Sequence, residues 1–396
     1  MNIATKAESL KQELINWRRH LHSNPELSFQ EVKTSAYILE QLKAIGFTQF
    51  HTGIGGHGIV ATISGKKGPV IGLRADMDAL PIQEETGLEY ASTNHGVMHA
   101  CGHDAHSAML LGAAKLLKED ADAGLLNGTV KLIFQPAEEN TDEQGLTGAP
   151  HLLRSGVIDD VKAAIALHVC PWRKTGELQV NKGPSMANID NFMLTIKGVG
   201  GHGGYPHQGK DPLWMASFVL QGIYSLTSRR VNPLDVAVIS VGEIHGGTTA
   251  NIIPNRVQIR GTIRSYKKEV RQQLIDELKI VASIVESLGG SYELKIEHGE
   301  PALYNDEKIT EVVKRTAKIL YPSINILEEP FGLGGEDFSF IAEKIPSMMF
   351  FLGCGLRGEL HSPYFQLDED ALPVGTALLT KCAQNLLLYI GGEQHL

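Results

Sequence analysis

The order in which helix and strand patterns follow one another constrains this chain more than any other feature. Up to about residue 184, apolar positions switch repeatedly between helical and strand spacing. Residues 7–22 and 32–45 read as helices, the second stopped by Gly46, and 58–64 and 69–75 read as strands. Asp104 is placed to cap a helix over 105–118, and the nearly continuous apolar runs 129–135 and 163–169 suit strands covered on both faces. From 185 to 299 the rhythm becomes β-α-β-β-α-β, with strands at 191–198, 236–244, 256–265 and 291–297 and helices at 211–228 and 267–288. Helix and strand patterns resume from Asp306, including a strand at 347–353 and a helix at 372–390. The simplest topology is an α/β domain built from residues 1–184 and 300–396, a mixed sheet with helices on both faces, interrupted by an inserted α+β domain at 185–299 of ferredoxin-like order. At 396 residues the chain is long enough for two cores.

Composition narrows the function classes. A net charge of -9 argues against nucleic-acid binding, which needs clustered Lys and Arg. No apolar run approaches the ~20 residues that span a bilayer, so no membrane partner is expected. The first residues alternate charged and apolar like a surface helix rather than a secretory leader, and four cysteines are too few for a disulfide scaffold; both point to the cytoplasm. Sixteen histidines raise the prospect of a metal.

Ligands of open α/β sheets bind beyond the carboxyl ends of the strands. Asp76 and Asp78 follow the strand ending at Ala75, Glu138 and Glu139 follow the one ending at Gln135, His168 ends 163–169, and His361 lies in the loop after 347–353. The densest segment is HACGHDAHSAM, where Cys101 and His103 can converge on one site from an extended turn before a helix. The isolated tripeptide better suits a small apolar cysteine beside surface histidines, and Glu139, His168 and His361 reverse the balance towards a metal site. His99 and His106 read as packing, solvent-facing or outer groups rather than ligands. Glu138 and Glu139, being adjacent, point to different sides, so one can ligate a metal while the other handles a proton; alone they would be a solvated acidic loop.

In the inserted domain, GVGGHGGYPH sets His202 and His207 among five glycines, which suits a hydrogen bond to an oxyanion or a plain mobile hairpin. Asn251 and Arg264 lie on or near adjacent strands, where a guanidinium suits a carboxylate, although Arg264 alone would be an ordinary ion-pair residue. Gly53, Gly55 and Gly58 spell G-x-G-x-x-G, but a strand follows where a dinucleotide site needs a helix.

The ordered motifs WRRHLHSNPELSFQE, GLRADMDALPI, HACGHDAHSAMLLGAA, FQPAEE, ALHV, GGHGGYPH, NIIPNRV, LGGEDFS and HSPYF, spread over residues 17–365, resemble the dinuclear metallo-amidohydrolases: aminoacylases, carboxypeptidase G, hippurate hydrolases and auxin-conjugate hydrolases. The resemblance implies a catalytic domain with an inserted lid or dimerisation domain, and hydrolysis of the linear amide of an N-acyl-L-amino acid. It further implies Cys101 as a bridging ligand, with His103 and His168 on one metal and Glu139 and His361 on the other, and Glu138 as general base. His202 matches the lid histidine that stabilises the oxyanion, often from the partner subunit; Asn251 and Arg264 match carboxylate binders, Gly334 and Gly335 a pocket loop, and Asp78 an outer acidic position. Many relatives have histidine where Asp76 stands and an aspartate bridge in place of the Cys101–His103 pair, which selects the auxin-conjugate and hippurate branch. Two divalent ions are implied, zinc by the thiolate and imidazoles, with manganese, cobalt or nickel as alternatives. The expected partners are a small-molecule substrate and a second copy of the chain, as homodimer or dimer of dimers. The alternatives are a dipeptidase or carboxypeptidase on the same scaffold, or a non-catalytic metal-binding regulator.

Overall fold

The structure, a computed structural model, describes residues 2–392, which divide into two compact units. The first comprises the chain up to Gly183, Tyr304–Phe331 and the chain from Phe340 onward; the second comprises Pro184–Leu303 and Gly332–Ser339.

The first unit is organised by an eight-stranded mixed sheet. Its first strands are β1 (Gln49–Ile54), β2 (Gly58–Ser64), β3 (Val70–Asp76), β4 (Thr129–Gln135), β5 (Ala163–Cys170) and β6 (Glu177–Gln179). In space the order is β1, β2, β4, β3, β5, then Ser347–Gly353, β6 and Asn325–Leu327. β4, β3, β5 and Ser347–Gly353 run parallel, whereas β1 and β2 pair antiparallel. All residues of β5 and of Ser347–Gly353 are buried, and since alternate side chains of a strand face opposite ways, both faces of the sheet centre are covered. The G-x-G-x-x-G segment is the turn of the β1–β2 hairpin, with positive φ at Gly53, Gly55 and Gly56.

The covering helices include α1 (Ile3–Ser9), α2 (Lys11–Ser23), α3 (Val32–Ile45), α4 (His103–Asp122) and Ala371–Ile390. The expected helix over 7–22 is in fact two, divided at Leu10, and α1 packs Ala7 against Leu116 and Ala377. Gly46 ends α3 in the left-handed region, as expected of a C-terminal glycine. α4 begins earlier than the sequence pattern indicates: its cap is Gly102, whose carbonyl accepts from the amides of Ala105 and His106. Asp104 lies inside the first turn and is fully buried, because its carboxylate is taken by Arg18 and His22 rather than by backbone amides. No helix among the described residues is long and apolar enough to cross a membrane.

The second unit carries a four-stranded antiparallel sheet in the order Ala237–Gly246, Arg256–Ser265, Asn188–Lys197, Ser291–His298. Along the chain these strands alternate with helices Pro212–Arg229 and Lys268–Ser287 as β-α-β-β-α-β. Phe192, Leu194 and Ile196 point every second side chain of their strand into a core with Val219, Ile223, Leu274 and Leu278 from the helices. Asp211 caps the first of these helices, accepting from the amides of Leu213 and Trp214.

Candidate metal centre

The centre starts where the chain turns into α4. Cys101 sits in a bend, Gly102 adopts φ +88°, and His103 opens the helix. A Cβ at Gly102 would lie 2.4 Å from the Val169 side chain, so only glycine lets this turn pack against β5. The close approach sets the Cys101 thiol 3.5 Å from His168 Nε2. His168 Nδ1 donates to the Val169 carbonyl at 2.7 Å, which leaves Nε2 as the side facing the thiol. Burial and the neighbouring His106 hold the His168 pKa well below the usual imidazole value, so the ring is neutral.

His103 Nδ1 donates to the Asp78 carbonyl at 2.9 Å. Its Nε2 is buried without a hydrogen-bond partner, 3.8 Å from Glu139 Oε1, which is likewise buried and unpartnered. Two orphaned polar atoms facing each other at that distance are a cost unless a cation sits near them. Burial lowers the His103 pKa, but Asp76, Asp78 and Glu139 outweigh it and raise it to about 10, so a proton is held where an ion would bind. Burial, reinforced by Glu139, Glu138 and Asp76, pushes the Cys101 thiol well above its usual 9.0. Cation binding must therefore displace protons.

His361 completes the ring. It is a non-glycine residue at φ +62°, held by its amide donating to the Ala100 carbonyl at 2.8 Å, and its Nε2 lies 3.4 Å from Glu139 Oε1. Three sets of donor atoms lie mutually within 4.8 Å: Cys101 with His103 and His168, Cys101 with Glu139 and His361, and His103 with Glu138 and Glu139. Cys101 is common to the first two. The donors, a thiol, three imidazoles and a carboxylate, fit a pair of borderline divalent ions. A further set, Asp76 with His103 and His106, also falls within that distance, but the Asp76 oxygens are already taken by Arg74 at 2.7 Å and His106 at 2.6 Å.

Of the frame behind this ring, the sequence pointed to Asp78 and His106 as outer groups but not to Glu31 or to the turn they hold. Ala137 adopts φ +50°, and the three successive amides of Ala137, Glu138 and Glu139 donate to Glu31 Oε1 at 2.8 Å, Asp78 Oδ1 at 3.1 Å and Asp78 Oδ2 at 3.0 Å. Ser28 adds a 2.6 Å bond to Asp78, and Gly148 donates to the Ala137 carbonyl. A Cβ at Gly148 would sit 1.8 Å from the Pro136 carbonyl oxygen, so glycine is required there too. Two buried carboxylates thus hold the strained turn that presents Glu138 and Glu139. His106 plays a similar part, donating from Nδ1 to Asp76 and accepting the Val169 amide at Nε2, which ties α4 to β3 and β5. Behind Asp104, Arg18 and His22 form a buried charged cluster with Glu84. A signal for it was present: Arg18 and His22 are four apart, on the same face of α2 as the buried Leu14 and Leu21.

Glu31 makes a measurable prediction. Burial, then Asp78, raise its carboxyl pKa from 4.5 to about 7. The folded state then binds a proton that the unfolded chain has released, so in the metal-free protein this stabilisation is complete below pH 4.5 and is lost as pH rises through about 7. Glu31→Gln, which keeps an acceptor for Ala137, is expected to flatten the fall in Tm across that window; an unchanged slope would refute the assignment. Glu31→Ala orphans the Ala137 amide and is expected to cost about 1–3 kcal/mol in denaturant melts.

The remaining candidates belong to the second unit and fall into two groups. His202 lies on a two-residue strand paired with Ile252, next to Asn251, whose carbonyl accepts the Gly203 amide. His202 Nδ1 accepts from the Gly204 amide at 2.9 Å, so in the neutral ring the proton is on Nε2. Asn251 accepts from Thr249 through its side chain, and His207 lies on the exposed turn Pro206–Gln208. Arg264 pairs in register with Ile189 and donates to the Leu333 carbonyl at 2.7 Å. Gly334 accepts the Ala187 amide, and a Cβ at Gly335 would lie 2.3 Å from the Ile189 side chain. The structure thus gathers Arg264 with the Gly334–Gly335 loop, and His202 with Asn251.

Residues 72–385 match the model of Peptidase family M20/M25/M40. The chain is 41% identical over 384 residues to N-acetyl-L-cysteine deacetylase of Bacillus subtilis (strain 168), covering 96% of this chain and 89% of that protein. It is 39% identical over 388 residues to thermostable carboxypeptidase 2 of Saccharolobus solfataricus, covering 95% of this chain and 96% of that one. Among solved structures, a Bacillus subtilis protein described as a dinuclear metal-binding peptidase from the M20 family superposes with TM-score 0.84 at 35% identity, covering 96% of this chain and 99% of that one.

Proposed function

From the premise that this chain belongs to Peptidase family M20/M25/M40, we propose that it is a metal-dependent amidohydrolase that cleaves the amide bond of N-acyl-L-amino acids. The observation that carries the reading is the convergence of Cys101, His103, Glu139, His168 and His361, with the adjacent Glu138 presented on the same pinned turn. Two divalent ions bound there would polarise the amide carbonyl and acidify water near neutral pH. Cys101, His103 and His168 would hold one ion, and Cys101, Glu139 and His361 the other. The thiolate and imidazoles favour zinc over manganese, cobalt or nickel.

Glu138 accepts the proton of the attacking water and returns it to the leaving amide nitrogen. His202, with its proton on Nε2, donates to the oxyanion of the tetrahedral intermediate. Arg264 and Asn251 hold the substrate carboxylate, with Gly334 and Gly335 lining the loop beside Arg264. Asp78 fixes His103 and the Glu138–Glu139 turn from behind. The second unit acts as lid and dimerisation domain: Leu213, Trp214, Phe218 and Tyr224 along Pro212–Arg229 are exposed, which supports a homodimer that sedimentation velocity would detect. Four buried, unpaired cysteines support a cytoplasmic setting.

Carboxypeptidase action is the second reading, favoured by the Saccharolobus solfataricus relative. It is chemically continuous with the first, since the C-terminal residue of a peptide is itself an N-acylated amino acid. Metal-loaded protein assayed on N-acyl amino acids, blocked peptides and free dipeptides, by release of the amino group, separates these readings. Turnover of blocked substrates above free dipeptides is expected; turnover of free dipeptides alone would sink the assignment.

A further inference from the structure

Near Arg264 in the second unit stands a carboxylate that the reaction does not use. Arg264 pairs in register with Ile189 on the neighbouring strand. On the other side of Ile189 the chain runs on past His298: the Gly299 amide donates to the Ile189 carbonyl at 2.9 Å, and the Ile189 amide donates to the Glu300 carbonyl at 3.1 Å. Arg264 and Glu300 therefore flank Ile189, two strand spacings apart, or roughly 10 Å between main chains. Arg271 fixes this edge by donating to the Gly299 carbonyl and to both oxygens of the buried Asp190.

The two charges are neighbours without being a pair. The Arg264 guanidinium donates to the Leu333 carbonyl at 2.7 Å, and among the described residues no donor bonds the Glu300 carboxylate. Glu300 still acts on Arg264 through space, as the acidic group that opposes the lowering of its pKa by burial. Both residues are half-buried, as is Ile189 between them. A Cβ at Gly335 would lie 2.3 Å from Ile189 Cδ1 and 3.3 Å from Glu300 Oε2, so the loop 333–335 passes close by both, and only glycine there leaves the carboxylate unobstructed. A half-buried carboxylate with no donor of its own favours a cation brought by a ligand. The α-nitrogen of the substrate is tied up in the amide and carries no charge. The one cation that the amino-acid half can offer is in its side chain.

Resting on the amidohydrolase reading and its placement of the substrate carboxylate on Arg264, we propose that Glu300 selects amino acids with a long cationic side chain, of the lysine or ornithine type. The terminal ammonium pairs with Glu300 while the methylene stem lies along Ile189.

The test compares Nα-acetyl derivatives of lysine, norleucine and glutamate on metal-loaded wild type, Glu300→Gln and Glu300→Lys. Norleucine has a straight aliphatic side chain like the stem of lysine, without the charge. Wild type should favour lysine over norleucine on the order of tenfold in kcat/KM, carried by KM because the contact is made equally in ground and transition states. Glu300→Gln, which keeps the main-chain bond to Ile189, should bring that ratio near one, and Glu300→Lys should turn the preference towards glutamate. Calorimetric binding of free lysine and norleucine to wild type and Glu300→Gln reads the same contact without turnover: lysine should bind more tightly to wild type, and the two should bind alike to the variant. Equal use of lysine and norleucine by wild type, or a lysine preference that survives in Glu300→Gln, overturns the assignment. If no amide is hydrolysed, the amidohydrolase reading fails by itself, and calorimetry still decides Glu300: tighter lysine binding confined to wild type upholds it, and equal affinities or no binding overturn it.

Discussion

Glutamine in place of Glu138 is expected to lower kcat by roughly 10²–10⁴-fold, the range lost with a general acid–base group, with metal content and Tm unchanged. Glutamine keeps the size of the side chain and the backbone amide that donates to Asp78, so the turn should hold its shape. What it removes is a carboxylate able to take a proton from water and hand it to nitrogen. The two measurements must be made together: kinetics on a blocked substrate and metal analysis on the same sample. Full activity would refute the base assignment, and loss of metal would move Glu138 into the ligand set with Glu139 and His103, a grouping that the distances also permit.

Cys101→Ala is expected to have the other large effect, abolishing uptake of both ions together with activity. The thiol is common to two sets of donors that could hold an ion, so under the proposed assignment its removal takes a ligand from each. Replacing an outer partner of a metal ligand typically costs about 10–100-fold in affinity, and a shared direct ligand should exceed that. The sign of the pH dependence follows from the buried groups. Burial and the carboxylates hold the Cys101 thiol protonated well above 9.0, and the carboxylates outweigh burial to hold a proton on His103 up to about 10. Ions compete with those protons, so uptake should tighten as pH rises and release protons to the buffer. Titration of metal-free wild type in a weakly buffered solution with a pH indicator reads this directly. Proton release in wild type that is undiminished in Cys101→Ala would overturn the thiol as a ligand.

Much of the fold was legible because local patterns and tertiary packing agree. The strands expected at 58–64, 129–135, 256–265 and 347–353 occupy those residues, since their apolar character matches the burial they acquire. Disagreement arose where packing overrides local preference. Asp104 has the chemistry of a cap but is drawn inward by Arg18 and His22, residues more than eighty positions earlier. Likewise, the Asp76 carboxylate was legible as a group at the rim, but not that Arg74 and His106 occupy its oxygens.

The order of helices and strands, and the chemical types of donor that follow the strands, were properties of the sequence alone, because periodicity and side-chain identity are local. That Cys101 lies within reach of both His168 and His361, that Glu31 and Asp78 grip three consecutive amides, and that Phe331 and Phe351 stand against His168 were decided by the tertiary structure. Those distances depend on which strands lie side by side and how closely Gly102 lets a helix approach β5. Such pairings are fixed by packing between segments far apart in the chain, and no local pattern encodes them.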